Sequence, residues 1–221
     1  MYDHFSPVTW LQQINPISCL INLLDMISDK LESCDQCRSF EGKIAIDKPY
    51  LRFRVEKKWR PRVVKVLFVA ESPPWDKERY FYKQDMTGNG TNLQRELFRY
   101  LKLSSLEEFK DRGYYLIDAI KCRLNKRGGE EHIPPAVLSV CADTFLLQEI
   151  QEIKPETIFV LGNSAKKALQ NLPSFEELAC HRVTDGFDQA LSGYRIILSV
   201  YPGGKTRGHI ELIKKAFSKI Q

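Results

Sequence analysis

The sequence predicts an α/β fold, a three-layer α/β/α sandwich with a central, mainly parallel four-stranded sheet. Short apolar runs rich in β-branched residues alternate along the chain with segments of helical periodicity. The runs are almost continuously apolar, which is typical of strands that are buried on both faces. Alternation of strands and helices indicates a parallel sheet with helices packed on both sides.

Four apolar runs are predicted to be the strands: residues 63–70, 114–120, 157–162 and 194–200. The first run ends at Pro73 and Pro74, because proline lacks the amide hydrogen that a strand ladder needs. The carboxyl ends of parallel strands meet at one edge of the sheet, where α/β proteins bind their ligands. The predicted site therefore lies where these ends fall, at Glu71, Asp118, Gly162 and Tyr201.

Apolar residues at three- and four-residue steps predict helices over 9–31, 92–101, 105–111, 136–153, 164–172 and 208–220. Ser104 or Ser105 is expected to cap the third helix, and Asn163 the fifth. Residues 38–62 are expected to be irregular with room for one short hairpin, and residues 173–192 to form a loop.

The expected organisation is a single domain over residues 1–221, with an N-terminal helix and cysteine segment (1–62) and an α/β core (63–221). The sequence shows neither a bilayer-length apolar run nor a secretory signal, so a cytoplasmic protein without a membrane partner is expected. A monomer is also expected, but the sequence does not determine the oligomeric state. The net charge is +5 and the pI about 8.8. A basic segment carries Arg52, Arg54, Lys57, Lys58, Arg60, Arg62 and Lys65. It fits a phosphate-facing surface and, equally, a solvated basic face.

Six cysteines in a chain expected to be cytoplasmic argue against disulfides, since reducing conditions keep thiols free. The pair Cys34-x-x-Cys37 alone fits zinc, a redox pair or coincidence. A redox pair would usually open a helix after a strand, whereas this pair follows a predicted helix.

In chain order, the strand ends resemble the uracil-DNA glycosylase superfamily, specifically its iron-sulfur branch, often called family 4. Residues 70–74 (Ala-Glu-Ser-Pro-Pro) stand where that branch has Gly-Glu-Ala-Pro-Gly, and residues 118–123 (Asp-Ala-Ile-Lys-Cys-Arg) resemble its Asn-Val-Val-Lys-Cys-Arg motif. A helix with Cys141 and the turn at 161–165 (Leu-Gly-Asn-Ser-Ala) follow. Residues 201–203 (Tyr-Pro-Gly) replace the family's His-Pro-Ser. The resemblance implies a DNA glycosylase, a hydrolase of N-glycosyl bonds whose partner is DNA.

The resemblance also implies a [4Fe-4S] cluster with the ligands Cys34, Cys37, Cys122 and Cys141. Zinc is the alternative, because all-sulfur tetrahedral sites suit both. Cys19 is expected in the core, and Cys180 is unassigned. The cluster is expected to be structural, tying the N-terminal helix to the sheet near the DNA surface.

A glycosylase acting on duplex DNA extrudes its target nucleotide, stacks the base on an aromatic ring and reads the edge of the base. By resemblance Phe81 is the stacking ring, although the Tyr-Phe-Tyr run at 80–82 also fits rings that pack under a loop. Asp118 replaces the family's Asn, whose amide answers both O4 and N3–H of uracil. A protonated Asp118 instead matches the N4 donor and N3 acceptor of cytosine, and burial favours that neutral form. A hydroxymethylated or glucosylated cytosine, as in phage DNA, would spare the host's own bases.

The remaining site residues are predicted by the same resemblance. Tyr201, or alternatively His209, would donate to the base O2 as charge develops. Glu71 would position water or stabilise an oxocarbenium-like sugar, or else cap backbone amides. Ser72 and Asn163 are expected to bind the base. The expected DNA-binding loop contains Gly203, Gly204, Lys205 and Arg207.

Alternative functions remain open at this stage. The matching motifs contain no evident catalytic lysine, which favours hydrolysis without a Schiff base, with Lys121 and Lys205 left open. The substrate could instead be uracil or hypoxanthine in base-excision repair, rather than a modified base in antiviral defence. A non-catalytic iron-sulfur DNA-binding module and a cluster-based redox sensor are the other classes.

Overall fold

The computed structural model describes residues 27–37, 47–74, 79–83, 92–123, 134–203 and 207–221. The strands are β1 (Val66–Ala70), β2 (Tyr114–Asp118), β3 (Thr157–Leu161), β4 (Asp188–Leu191) and β5 (Tyr194–Ser199). The α-helices are α1 (27–33), α2 (Pro49–Arg52), α3 (Val55–Trp59), α4 (Asn92–Leu101), α5 (Leu106–Asp111), α6 (Pro135–Cys141), α7 (Leu147–Ile153), α8 (Gly162–Gln170) and α9 (Ile210–Phe217). A π-helical turn (Ala142–Leu146) joins α6 to α7, and 3₁₀ turns cover Pro173–Cys180, Arg207–His209 and Ser218–Ile220.

In the described part of the chain, the sheet has five strands in the order β2-β1-β3-β5-β4. The pairs β1–β2, β1–β3 and β3–β5 are parallel, which confirms a mainly parallel sheet. The prediction of four strands is wrong, because β4 pairs antiparallel with β5. Ser192 and Gly193, with φ values of 53° and 84°, join the two strands in a tight hairpin. No residue of β4 is fully buried, so this edge strand lacks the apolar run that marked the others.

Helices cover both faces of the sheet. Phe68 packs on Phe109 of α5 and Phe217 of α9, with ring centroids 5.7 and 6.3 Å apart. Tyr115 pairs in register with Leu67 and so points to the opposite face, where its hydroxyl lies 3.5 Å from that of Tyr50 in α2. β1, β2 and β3 are buried along their whole length. The three-layer prediction is confirmed.

Two predicted helix caps have different outcomes. Ser105 caps α5, because its Oγ accepts a hydrogen bond from the Glu108 amide at 3.0 Å. The prediction that Asn163 caps α8 is wrong, because the helix already begins at Gly162 and its cap position is Leu161. Gly162 has φ +86°, a conformation that glycine adopts without strain, and it turns the chain from β3 directly into α8.

The N-terminal segments are more helical than expected. Residues 27–33 form the end of the predicted first helix, whereas 9–26 lie outside the described residues. The prediction of an irregular segment with room for a hairpin is wrong for residues 47–62, which contain α2 and α3. Residues 38–46 lie outside the described residues. Val55 and Trp59 are buried four residues apart, a helical spacing too short to be recognised in the sequence. Among the helices of the described residues, none has the length and apolarity that a bilayer span requires.

Candidate active site

A cavity of about 410 Å³ opens at the carboxyl ends of the parallel strands. Seven residues selected from the sequence lie in its wall: Glu71, Ser72, Phe81, Asp118, Gly162, Asn163 and Tyr201. Apart from Phe81, they lie at or just after the carboxyl ends of β1, β2, β3 and β5, and the parallel register of these strands brings their ends to one edge. The sequence did not single out Arg79 and Tyr80, which also line the cavity. Tyr80 belongs to the aromatic run at 80–82, whereas no sequence signal marked Arg79.

Asp118 is the last residue of β2 and is only 7% exposed. Burial raises the pKa of Asp118 to about 7, the nearby Lys121 ammonium opposes this shift, and the carboxylates of Glu149 and Glu71 add to it. Near neutral pH the carboxyl group therefore exists both as an acceptor-only anion and as a neutral acid with one donor and one acceptor.

Backbone hydrogen bonds hold the Glu71 and Asp118 segments together. The Ala119 amide donates to the Ala70 carbonyl at 2.8 Å, and the Ile120 amide donates to the Glu71 carbonyl at 3.0 Å. These bonds extend the pairing of β1 and β2 beyond the strands themselves. These two bonds therefore fix the backbone after Glu71 against the backbone after Asp118.

Phe81 is 3% exposed and lies in an aromatic wall. Its ring packs edge-on against Phe109 and Tyr82, with centroids 5.2 and 4.9 Å apart. The side-chain amide of Gln94 donates to the Phe81 carbonyl at 2.8 Å and fixes the backbone. The ring thus packs against its neighbours and also lines the cavity, so its packing role is observed, and stacking on a base stays a prediction.

Tyr201 lies at the mouth of the cavity and is 37% exposed. A Cβ on Gly203 would collide with the Tyr201 ring, and a Cβ on Gly162 would lie 3.1 Å from the Tyr201 Cβ. The two glycines therefore leave the space that the Tyr201 side chain occupies. His209 is exposed at the start of α9 and does not line the cavity.

Part of the expected DNA-binding loop lies outside the described residues. This applies to Gly204 and Lys205. Gly203 is buried beneath Tyr201, and Arg207 begins the 3₁₀ turn before α9.

The four predicted cysteine ligands lie in one neighbourhood. Cys34 and Cys37 follow α1, Cys122 follows β2 and Cys141 ends α6. A hydrogen bond from the Cys141 thiol lowers the pKa of Cys37 to about 7, with help from the Lys48 ammonium. Burial raises the pKa of Cys122 to about 11, and the nearby Cys37 and Cys34 add to it. The hydrogen bond brings the Cys37 and Cys141 sulfur atoms into contact, and Cys122 lies near enough to be affected by the charges of Cys37 and Cys34.

This donor set fits a thiolate-bound metal group by its chemistry. Within the described ranges, however, no three metal-binding side chains already converge in ligand geometry. Lys48 holds the backbone at the end of α1 and at Cys34, because its Nζ donates to the carbonyls of Leu31 (2.5 Å), Glu32 (2.9 Å) and Cys34 (2.9 Å). Cys180 is exposed on a 3₁₀ turn and has no part in the group.

A family model supplies an independent comparison. The model described as "UDG: Uracil DNA glycosylase superfamily" matches residues 58–220, which include every described cavity residue. No curated protein matches the chain significantly. The match spans more than half of the chain and supports a DNA glycosylase-type function, a hydrolase acting on N-glycosyl bonds in DNA. The chain belongs to the uracil-DNA glycosylase superfamily.

Proposed function

We propose that this protein is a monofunctional DNA glycosylase that flips out a modified cytosine and hydrolyses its N-glycosidic bond, leaving an abasic site. Membership of the superfamily supports the reaction type. The observation that carries the choice of base is Asp118, a buried carboxyl group in the cavity wall whose pKa is about 7.

The edge of the base distinguishes cytosine from uracil. Cytosine presents an N4 amino donor and an N3 acceptor, and a protonated Asp118 offers one acceptor and one donor in return. Uracil presents an O4 acceptor and an N3–H donor. An ionised Asp118 offers no donor to O4 of uracil and none to N3 of cytosine, so the neutral acid is the form that binds the base. The proposed preference for cytosine requires that the acceptor oxygen of this acid face N4 and that its O–H face N3, an arrangement that leaves O4 of uracil without a donor.

The other cavity residues have roles that suit this reaction. Phe81 stacks the flipped base, because its ring is already fixed in the aromatic wall. Tyr201 donates its hydroxyl to the base O2 as negative charge develops there. Glu71 orients the attacking water or stabilises the oxocarbenium-like sugar. Ser72 and Asn163 add polar contacts to the base or its sugar.

The environment of Lys121 supports hydrolysis rather than Schiff-base chemistry. A Schiff base needs a free, uncharged amine that can reach the sugar. Lys121 is 1% exposed and forms an ion pair with Glu149. Among the described residues that line the cavity, none is a lysine.

The four cysteines are proposed to hold a [4Fe-4S] cluster, with zinc as the alternative. The group would supply structural cross-linking and no chemistry to base release. Its ligands would join the segment after α1 to the turn after β2, where Cys122 lies four residues beyond Asp118. Protein purified without oxygen is expected to be brown with roughly stoichiometric iron and sulfide. Colourless protein that contains zinc would instead show that the four cysteines bind zinc.

Base release from matched oligonucleotides tests the function. The duplexes carry uracil, hypoxanthine, cytosine, 5-hydroxymethylcytosine or its glucosylated form, and abasic sites are revealed by alkaline cleavage. Release of a modified cytosine without uracil is the expected result and points to defence against modified DNA. Release of uracil alone would indicate a uracil glycosylase of base-excision repair. Tight DNA binding without release of any base would indicate a non-catalytic module.

A further inference from the structure

Lys121 and Glu149 form a buried ion pair directly behind Asp118. Each is 1% exposed. The Lys121 Nζ also donates to the backbone carbonyl of Asp118 at 2.6 Å and lies 5.6 Å from the centre of the Tyr50 ring. Burying two charges costs so much desolvation free energy that an apolar pair often gives equal or greater stability. What points to a role besides stability is the hydrogen bond from Lys121 to the Asp118 backbone carbonyl.

We propose that Lys121 and Glu149 are positioning residues for base excision, which hold the turn after β2 so that the Asp118 carboxyl group meets the base correctly. The inference rests on the proposed function of Asp118. In this role the ion pair affects base excision only through the position of Asp118, and it touches neither the base nor the sugar.

The geometry of the turn supports this role. Lys121 reaches back three residues to the Asp118 carbonyl, while Ile120 is bonded to the loop after β1. Glu149 fixes the ammonium group from α7, an element on the other side of the turn. The backbone amide of Lys121 also hydrogen-bonds to Cys141. Lys121 therefore contacts both the Asp118 backbone and Cys141, one of the four cysteines.

The pair also sets the electrostatic surroundings of Asp118. The charged and titratable groups that face Asp118 are Lys121, Glu149, Glu71, Tyr80 and Tyr82. Lys121 lowers the pKa of Asp118 and Glu149 raises it, with the lysine having the larger effect. Removing both charges should thus raise this pKa, whereas removing only the negative charge should lower it.

Two variants test the inference. Lys121→Met with Glu149→Leu removes both charges without leaving either one unpaired. Glu149→Gln removes one charge and keeps an acceptor for the ammonium. Glu152→Gln, one turn further along α7 and bonded to Gln148, is the matched control. The measurements are the single-turnover rate of base release against pH, DNA affinity and thermal unfolding.

Both variants should bind DNA as the wild type does and release the base roughly tenfold to 100-fold more slowly. Activity on a cytosine-type base is lost as Asp118 ionises, so the rate of base release should fall on the alkaline side of its pH profile. This alkaline limb should move to higher pH in the double variant and to lower pH in Glu149→Gln. The control should keep the wild-type limb.

Unchanged rates and limbs in both variants would overturn the inference. Slower release with an unmoved limb in both would do the same, because it would indicate a purely structural pair. Failure of the double variant to fold would also overturn it, since the pair would then be required for stability. A wild-type protein that releases no base would instead overturn the proposed function.

Discussion

Replacing Asp118 by Asn should stabilise the protein, and the gain should grow with pH. The pKa of Asp118 rises from an ordinary value of 3.8 to about 7 in the folded protein. At about 1.4 kcal/mol for each pKa unit, this shift corresponds to roughly 4 kcal/mol that the folded state loses when the carboxyl group must ionise.

The sign follows from proton linkage. Between the two pKa values the folded protein retains a proton that the unfolded chain releases, so the free energy of unfolding falls as pH rises through this window. Below the window both states are protonated, and above it the full penalty applies. Asn carries no charge, so the variant escapes a penalty of up to about 4 kcal/mol above neutral pH and gains little near pH 4.

Urea unfolding of the wild type and Asp118→Asn at a series of pH values measures this difference. Asp188→Asn is a control of opposite sign, because hydrogen bonds from Arg195 at 2.8 and 3.0 Å lower the pKa of Asp188. That variant should lose stability above the acid range. If the difference between Asp118→Asn and wild type stays constant with pH, Asp118 does not carry a raised pKa and the argument for cytosine reading fails.

Three further predictions concern the cavity and the cysteine group. Gly203→Ala should displace the Tyr201 ring and lower the rate of base release at least about tenfold. Gly208→Ala, whose Cβ would meet open space, should leave the rate unchanged. Equal rates in the two variants would show that the position of the Tyr201 ring does not matter for base release. Phe81→Ala should destabilise the protein by roughly 3–5 kcal/mol through the cavity it leaves, while Phe81→Leu should fold more stably than Phe81→Ala yet still release the base slowly because it cannot stack; wild-type rates in Phe81→Leu would exclude stacking. Cys122→Ala should lose the bound metal and Cys180→Ala should retain it, as metal analysis of the purified proteins would show; retention by both would exclude Cys122 as a ligand.

The parallel core could be predicted from the sequence because its strands are buried on both faces. The apolar runs around Phe68, Leu116 and Phe159 allow little besides a central strand. Predicted ends such as residue 63 extend up to three residues beyond the strands, since apolar residues continue where pairing stops. β4 could not be predicted, because an exposed edge strand of four residues has no apolar pattern.

The position of the site was predictable for a topological reason. Polar residues after strand ends converge whenever the strands are parallel, so Glu71, Asp118 and Tyr201 reach one cavity. The ion pair of Lys121 with Glu149 was not predictable, because its partners are 28 residues apart in sequence (149 − 121) and meet only through tertiary packing. The same holds for the contact of Lys48 with the end of α1.

The most direct test of cytosine reading is a comparison of wild type with Asp118→Asn on two duplexes that differ only in the target base, 5-hydroxymethylcytosine or uracil. The wild type should release the modified cytosine and leave uracil, and the variant should lose the first activity and gain the second. A variant that keeps release of the modified cytosine and gains none on uracil would contradict the assignment of Asp118 as the residue that reads the base.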